Sequence, residues 1–315
     1  MALISRDDIG ALGREEVAPA IRAALDDTFW LFNRARRLPD MASKQTRMPV
    51  WQTLPKAYFV DGDTGQKKTT NVSWANKYID AEELACIVPI PEAVLDDMKY
   101  DLESEVIPGI AQAFSEVITG AVLYGTNIPA TWTTNLGAAG LVALATARTS
   151  VASLAGFKDF YEAVEGESAD GAADGVLALL ENDGFQATGH VGHVKVKTMM
   201  RNCRDTNGQK IYPGTGEIDG APVVYPQDGM VDADEALMIS GDWNQLVYSI
   251  RQDMTFKIAD EASLYDAQGN LLYALFQQDM IAIRAVMRLG FAAPNPPNLM
   301  EPTEASRCPW AILTV

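Results

Sequence analysis

His190 and His193 are the only histidines in this 315-residue chain, and both stand in the segment Gly189-His190-Val191-Gly192-His193. An imidazole can ligate zinc or move protons near neutral pH, so this is the first place to look for chemistry. The segment reads as a strand, however, and in an extended backbone residues three apart point to opposite faces. No third Cys or His lies nearby to complete a metal set. A metal-dependent soluble enzyme using His190 and His193 therefore stands only as an alternative from a different class.

Other glycine-rich and acidic stretches carry less. Gly214-Thr215-Gly216-Glu217-Ile218-Asp219-Gly220 has one residue too many for a dinucleotide fingerprint and leads into no helix, so it reads as a loop. Asp61-Gly62-Asp63-Thr64-Gly65 resembles a fragment of a calcium loop but lacks the remaining ligands and the glutamate at the twelfth position, which leaves a hairpin turn. No GxSxG, Walker or HExxH sequence occurs, and the acid pairs Asp7-Asp8 and Asp96-Asp97 sit where helix starts or faces want charge. Cys86, Cys203 and Cys308 are far apart and odd in number, as expected of reduced core thiols rather than a disulfide framework. No enzyme activity, cofactor or metal is expected.

Bulk properties narrow the field further. Lys plus Arg number 25 against 42 Asp plus Glu, a net charge of -17. Such a balance disfavours a dedicated nucleic-acid binder and suits a protein that stays soluble at high concentration. No run of about 20 apolar residues could span a bilayer, and the N-terminal residues lack the basic-then-apolar order of a secretory leader. A cytosolic product with no membrane partner is expected.

The elements follow from periodicity. Residues 1–47 read as an arm with helical stretches and no core of their own; it holds the one basic stretch, Arg34, Arg36, Arg37, Lys44 and Arg47. That stretch is either a solvated helix end suited to the helix dipole or an arm touching something acidic. Val50, Trp51, Tyr58, Phe59, Val60, Val72, Trp74, Tyr78 and Ile79 make two extended strands around a turn at Asp61–Gln66. A two-stranded ribbon is marginal alone in water and wants a surface to lie on. From Pro91 to about Tyr124, Val94, Met98, Leu102, Val106, Ile110, Phe114 and Ile118 recur every four residues and predict one long helix, bent or broken at Pro108. Asp96, Asp97, Asp101, Glu103 and Glu105 make its exposed face acidic. Helices at 149–165 and 172–183, strands at 189–196 and 221–225, and mostly β structure from Ala236 complete the α+β pattern, with no internal repeat.

This order of elements resembles the major capsid proteins of tailed bacteriophages with the Hong Kong 97 capsid fold. The resemblance covers almost the whole chain. It is most specific over RMPVWQTLPKAYFVDGDTGQKKTTNVSWANKYIDAEELACIVPIPEAVLDD at 47–97, and is supported by VLYGTNIP at 122–129, MRNCRDTNGQKIY at 200–212, GAPVVY at 220–225, MISGDWNQLVYSIRQDMTFKIADEA at 238–262 and AVMRLGFAAPNP at 285–296. Thr119-Gly120 departs from the helix-favouring pair expected late in the family's spine helix.

The resemblance implies an N-terminal arm (1–47), an extended loop (48–79), a peripheral domain (80–121 with 246–284) and an axial domain (122–245 with 285–315). It implies a structural protein that self-assembles into hexamers and pentamers, forming an icosahedral shell around a double-stranded DNA genome, made in the host cytoplasm and residing in the virion. A compartment shell of the encapsulin type is the alternative on the same fold. The implied partners are further copies of the chain, a separate scaffolding protein, a portal, a decoration protein, and DNA held by weak non-specific contact. Trp51, Tyr58, Lys67, Lys68 and Trp74 of the loop are expected at an inter-subunit contact, facing the acidic helix residues of a neighbour, with the basic arm inside. Some family members cross-link a loop lysine to a neighbour's asparagine; Lys67 and Lys68 stand in the right region, but the sequence singles out no partner.

Overall fold

The computed structural model describes residues 30–60, 65–93, 102–137, 139–166, 168, 171, 173–227, 229–266 and 268–315, with backbone only for 102–107. The first described element, α1 (Trp30–Arg34), leads into β1 (Arg36–Arg37), the hairpin strands β2 (Gln45–Thr53) and β3 (Ser73–Asp80), and β4 (Glu82–Pro91). The long helix α2 (Leu102–Tyr124) follows, then α3 (Thr133–Leu136) and α4 (Gly140–Ala147). The middle of the chain alternates β5 (Val151–Ser153), α5 (Phe160–Glu165), α6 (Val176–Asn182), β6 (Gly189–Gly192), α7 (Lys195–Asn202), β7 (Glu217–Ile218), β8 (Ala221–Val224) and β9 (Met238–Gly241). The remainder is β10 (Val247–Ala259), β11 (Ser263–Tyr265), β12 (Leu271–Ala274), β13 (Met280–Ala292) and β14 (Trp310–Thr314).

Two larger sheets organise these strands. One is four-stranded in the order β1-β10-β13-β4, the other six-stranded in the order β5-β14-β9-β6-β8-β7. β2-β3 and β11-β12 are separate two-stranded hairpins. Strand β14 shows why the six-stranded sheet is buried on both faces: Trp310 and Ile312 pack into one core while Ala311 and Leu313 pack into another. A strand with two buried faces reads as a continuous apolar run, WAIL, rather than an alternation.

Helix α2 supplies the first core with Ile110, Phe114, Ile118 and Val122, a fourfold spacing that puts them on one face. That core also takes Trp30 and Leu31 from α1, Ile283 and Phe291 from β13, and Ile239 from β9, so it spans both sheets.

Several expectations need correction. Residues 30–47 are not an arm without a core: Trp30, Leu31, Ala35 and Met41 are buried, and β1 pairs in parallel with Val247 and Tyr248 of β10. Pro91 ends strand β4 opposite Met280, and the backbone turns helical at the next residue, Glu92, so the proline stands at a helix start as expected. Helix α2 runs unbroken through Pro108 and through Thr119-Gly120. One missing hydrogen bond at a proline is outweighed by the packed stripe that follows it. Residues 149–165 are a short strand, a 3₁₀ turn and a short helix, not one helix, because Val151–Ser153 pair with β14. The hairpin strands stop at Thr53 and begin again at Ser73, so the tip is a long connection, and residues 61–64 of the turn predicted at Asp61–Gln66 lie outside the described residues.

Candidate functional site

The hairpin β2-β3 leaves its aromatic residues on one side. In a strand, side chains alternate between faces, and here Trp51, Trp74 and Tyr78 fall on the outer face while Met48, Val50, Ala75, Lys77 and Ile79 turn inward. Trp51 and Trp74 are register partners, with ring centroids 3.8 Å apart and planes at 32°. They nevertheless remain 37% and 55% exposed among the described residues. At the strand ends Ser73 Oγ donates to Thr53 Oγ1 at 2.9 Å, and beyond the strands Lys56 N–H still donates to Thr70 Oγ1 at 3.0 Å. Tyr58 and Phe59 are exposed near the tip, and the Lys68 ammonium stands 5.3 Å from the Tyr58 ring centroid. Lys67 is exposed beside it. The structure thus brings Trp51 onto Trp74 and, separately, Lys68 over Tyr58, and leaves Lys67 exposed.

The acidic counterpart is only partly visible. Asp96, Asp97 and Asp101 lie outside the described residues, and Glu103 and Glu105 are placed only as backbone positions of α2.

The basic stretch does not act as a unit. Arg34 is half-buried, donates to the Pro222 carbonyl at 3.2 Å, and lies so close to Gly189 that a Cβ there would stand 2.5 Å from its guanidinium. It ties α1 to strands β6 and β8 of the six-stranded sheet, and burial lowers its pKa from the usual value. Arg37 pairs with Asp40 at 2.9 Å and Lys44 with Glu82 at 3.6 Å. Arg36 and Arg47 are exposed.

The histidines are structural by geometry. His190 is fully buried, its Nδ1 2.8 Å from Ser240 Oγ and its Nε2 3.2 Å from the Ile218 carbonyl. The Ile218 carbonyl can only accept, so Nε2 carries the proton and Nδ1 accepts from the serine. Burial pushes its pKa down to about 4, which keeps the ring neutral. His193 accepts from the Lys195 N–H at 3.1 Å, just beyond the strand. The described residues hold no cluster of three metal-ligating side chains. No helix among them is long and apolar enough to cross a membrane.

Sequence reasoning missed a second exposed apolar region. Ile258 at the end of β10, Tyr265 of β11, Leu271 of β12 and Phe276 just after it are all exposed. Its signal was the run Leu271-Leu272-Tyr273, where apolar residues fall on both faces of a two-stranded hairpin that has only one side to bury.

Comparison with known proteins gives a consistent picture. The model of the phage capsid family matches residues 10–299. A major capsid protein of Staphylococcus phage 80alpha is 24% identical over 285 residues, covering 89% of this chain and 81% of that protein. A solved structure from Microbacterium phage Oxtober96 superposes with a TM-score of 0.77 at 27% identity, covering 99% of both chains. One from Mycobacterium phage Adephagia gives the same TM-score and identity, covering 99% of this chain and 98% of that one.

Proposed function

This chain belongs to the phage capsid family, a structural shell protein of the virion rather than an enzyme, and we propose that it closes its shell by docking the outer face of the β2-β3 hairpin onto a neighbouring copy. The observation that carries this reading is the Trp51–Trp74 stack, which forms within the hairpin yet stays exposed among the described residues. Exposed aromatic rings rimmed by lysines are the composition of an interface centre and its edge. Lys67 and Lys68 would then meet acidic residues of the neighbour's long helix, drawn from Asp96, Asp97, Asp101, Glu103 and Glu105.

In this reading the four-stranded sheet with α2 forms the peripheral domain, 80–121 with 246–284, and the six-stranded sheet forms the axial domain, 122–245 with 285–315. Copies would ring up through the heterologous contact into hexamers and pentamers, since a head-to-tail interface closes when its rotation divides a full turn. Double-stranded DNA would fill the shell, assembled in the host cytoplasm, with scaffolding, portal and decoration proteins as further partners. Of the basic stretch, Arg36 and Arg47 have no ion-pair partner among the described residues and would supply the weak inner-face contact to DNA or an acidic scaffold.

The test is direct. Negative-stain electron micrographs of the purified protein, with and without co-expressed scaffold, should show rings or closed shells, and sedimentation should show species far larger than one chain. A chain that stays monomeric across a wide concentration range in both conditions would overturn hairpin-driven closure.

A further inference from the structure

The base of the β2-β3 hairpin is pinned tightly to the body. Ile79 and Asp80 cross Gly290 of β13 so closely that a Cβ there would stand 2.5 Å from the Asp80 carbonyl oxygen and 2.6 Å from Ile79 Cγ2. Trp132 Nε1 donates to that same Asp80 carbonyl at 2.9 Å, and Asn135 Nδ2 donates to the Tyr78 carbonyl at 2.6 Å. Met48 adds a contact with the core around Val247 and Ala292, and beyond it the packing thins. The inner face of the hairpin stands off from the proline-rich strap at 294–302, leaving a gap of about 190 Å³ with Val50, Gln52 and Ala75 on one side and Pro294, Pro297 and Pro302 on the other.

One ion pair spans that separation. Lys77 Nζ lies 2.5 Å from Glu304 Oε1, joining residues more than two hundred positions apart in sequence. The strap that carries Glu304 is itself firmly mounted. Arg307, 1% exposed, donates to the Asn295 side-chain and backbone oxygens at 3.0 and 2.7 Å and to the Glu301 carbonyl at 2.8 Å. A lever with a pinned base, a gap beneath its arm and one polar tie to a rigid mount has the parts of a two-position device.

We propose that the Lys77–Glu304 pair is a latch that sets the angle at which the hairpin leaves the body. Closed, it holds the outer aromatic face at the angle seen here; open, it lets the arm tilt about Ile79–Ala81 into or away from the gap. A single ion pair of this kind biases such an equilibrium by about two- to five-fold, which suits a switch better than a permanent tie. The consequence for assembly rests on the docking role proposed above, whereas the latch rests on the geometry within one chain.

Spin labels at Thr69→Cys near the hairpin tip and Leu299→Cys on the strap, in a Cys86→Ser background and diluted with unlabelled chain, read the angle as an intramolecular distance distribution. The parent should give one narrow distance. Glu304→Ala and Lys77→Glu should broaden or shift it, with the ratio of latched to unlatched populations falling about two- to five-fold, and the swap Lys77→Glu with Glu304→Lys should restore it. Lys77→Met serves as a second breaking variant that keeps the inner face apolar. A distribution unchanged in every breaking variant, or one the swap fails to restore, overturns the latch. Light scattering on the same samples reads assembly separately: altered distances with unaltered assembly would keep the latch and sink the docking reading.

Discussion

Trp74→Ala should separate folding from assembly. Trp74 is 55% exposed and touches chiefly Trp51 across the hairpin. Within one chain its removal forfeits a tilted stack worth about 0.5–1.5 kcal/mol and little buried area, so subunit stability should drop by about 1 kcal/mol. At an interface the exposed part matters instead. A tryptophan offers at most about 250 Å², of which 55% leaves roughly 140 Å² for a neighbour to cover. At about 25 cal/mol per Å² that area contributes about 3.5 kcal/mol per contact, a weakening of roughly a few hundredfold. Urea denaturation followed by circular dichroism gives the first quantity, and the critical concentration for assembly by light scattering gives the second. A variant that assembles at the parent's critical concentration would refute the burial of this face between subunits. A variant that unfolds outright would show that the stack is structural.

Four further outcomes are expected. Lys67→Glu with Lys68→Glu should leave a folded subunit that assembles poorly at low salt, and an acid-to-lysine change among Asp96, Asp97, Asp101, Glu103 and Glu105 should restore shells; normal assembly of the reversed pair would make both lysines solvent-facing. His190 is held neutral by burial with its pKa near 4 against an ordinary 6.5, so the unfolded chain takes up the proton first as pH falls, and stability declines between those values by up to about 3 kcal/mol. His190→Asn should flatten that part of a stability–pH profile, which chemical denaturation at stepped pH would reveal. Gly290→Ala should cost about 1–3 kcal/mol and loosen the hairpin seat, seen as faster amide exchange at Ile79–Ala81, because its Cβ has no room beside the Asp80 carbonyl. Arg307→Leu should cost about 3–5 kcal/mol and open the strap at 294–306 to protease, since it strands the buried oxygens of Asn295 and the Glu301 carbonyl.

The periodic signals in the sequence were those that local chemistry determines. Ile110, Phe114 and Ile118 announce a buried helix face because a fourfold spacing has only one regular solution. The Trp51 and Trp74 runs announce a ribbon because β-formers flank a glycine-rich turn. The spacing of His190 and His193 in an extended segment already spoke against a shared metal. What the sequence left open was settled by partners distant along the chain. Residues 30–47 looked like a free arm, yet Trp30 packs edge-on against Trp243 with ring centroids 6.1 Å apart, and Arg36–Arg37 complete the edge of a sheet whose next strand begins at Val247. Val151–Ser153 became a strand only because β14 lies beside it. The hairpin's tilt depends on Gly290 and Glu304, neither of which carries any local mark of that role. Periodicity reports which face of an element is apolar; only the folded chain decides what that face meets, because the deciding contacts join segments that no short window contains together.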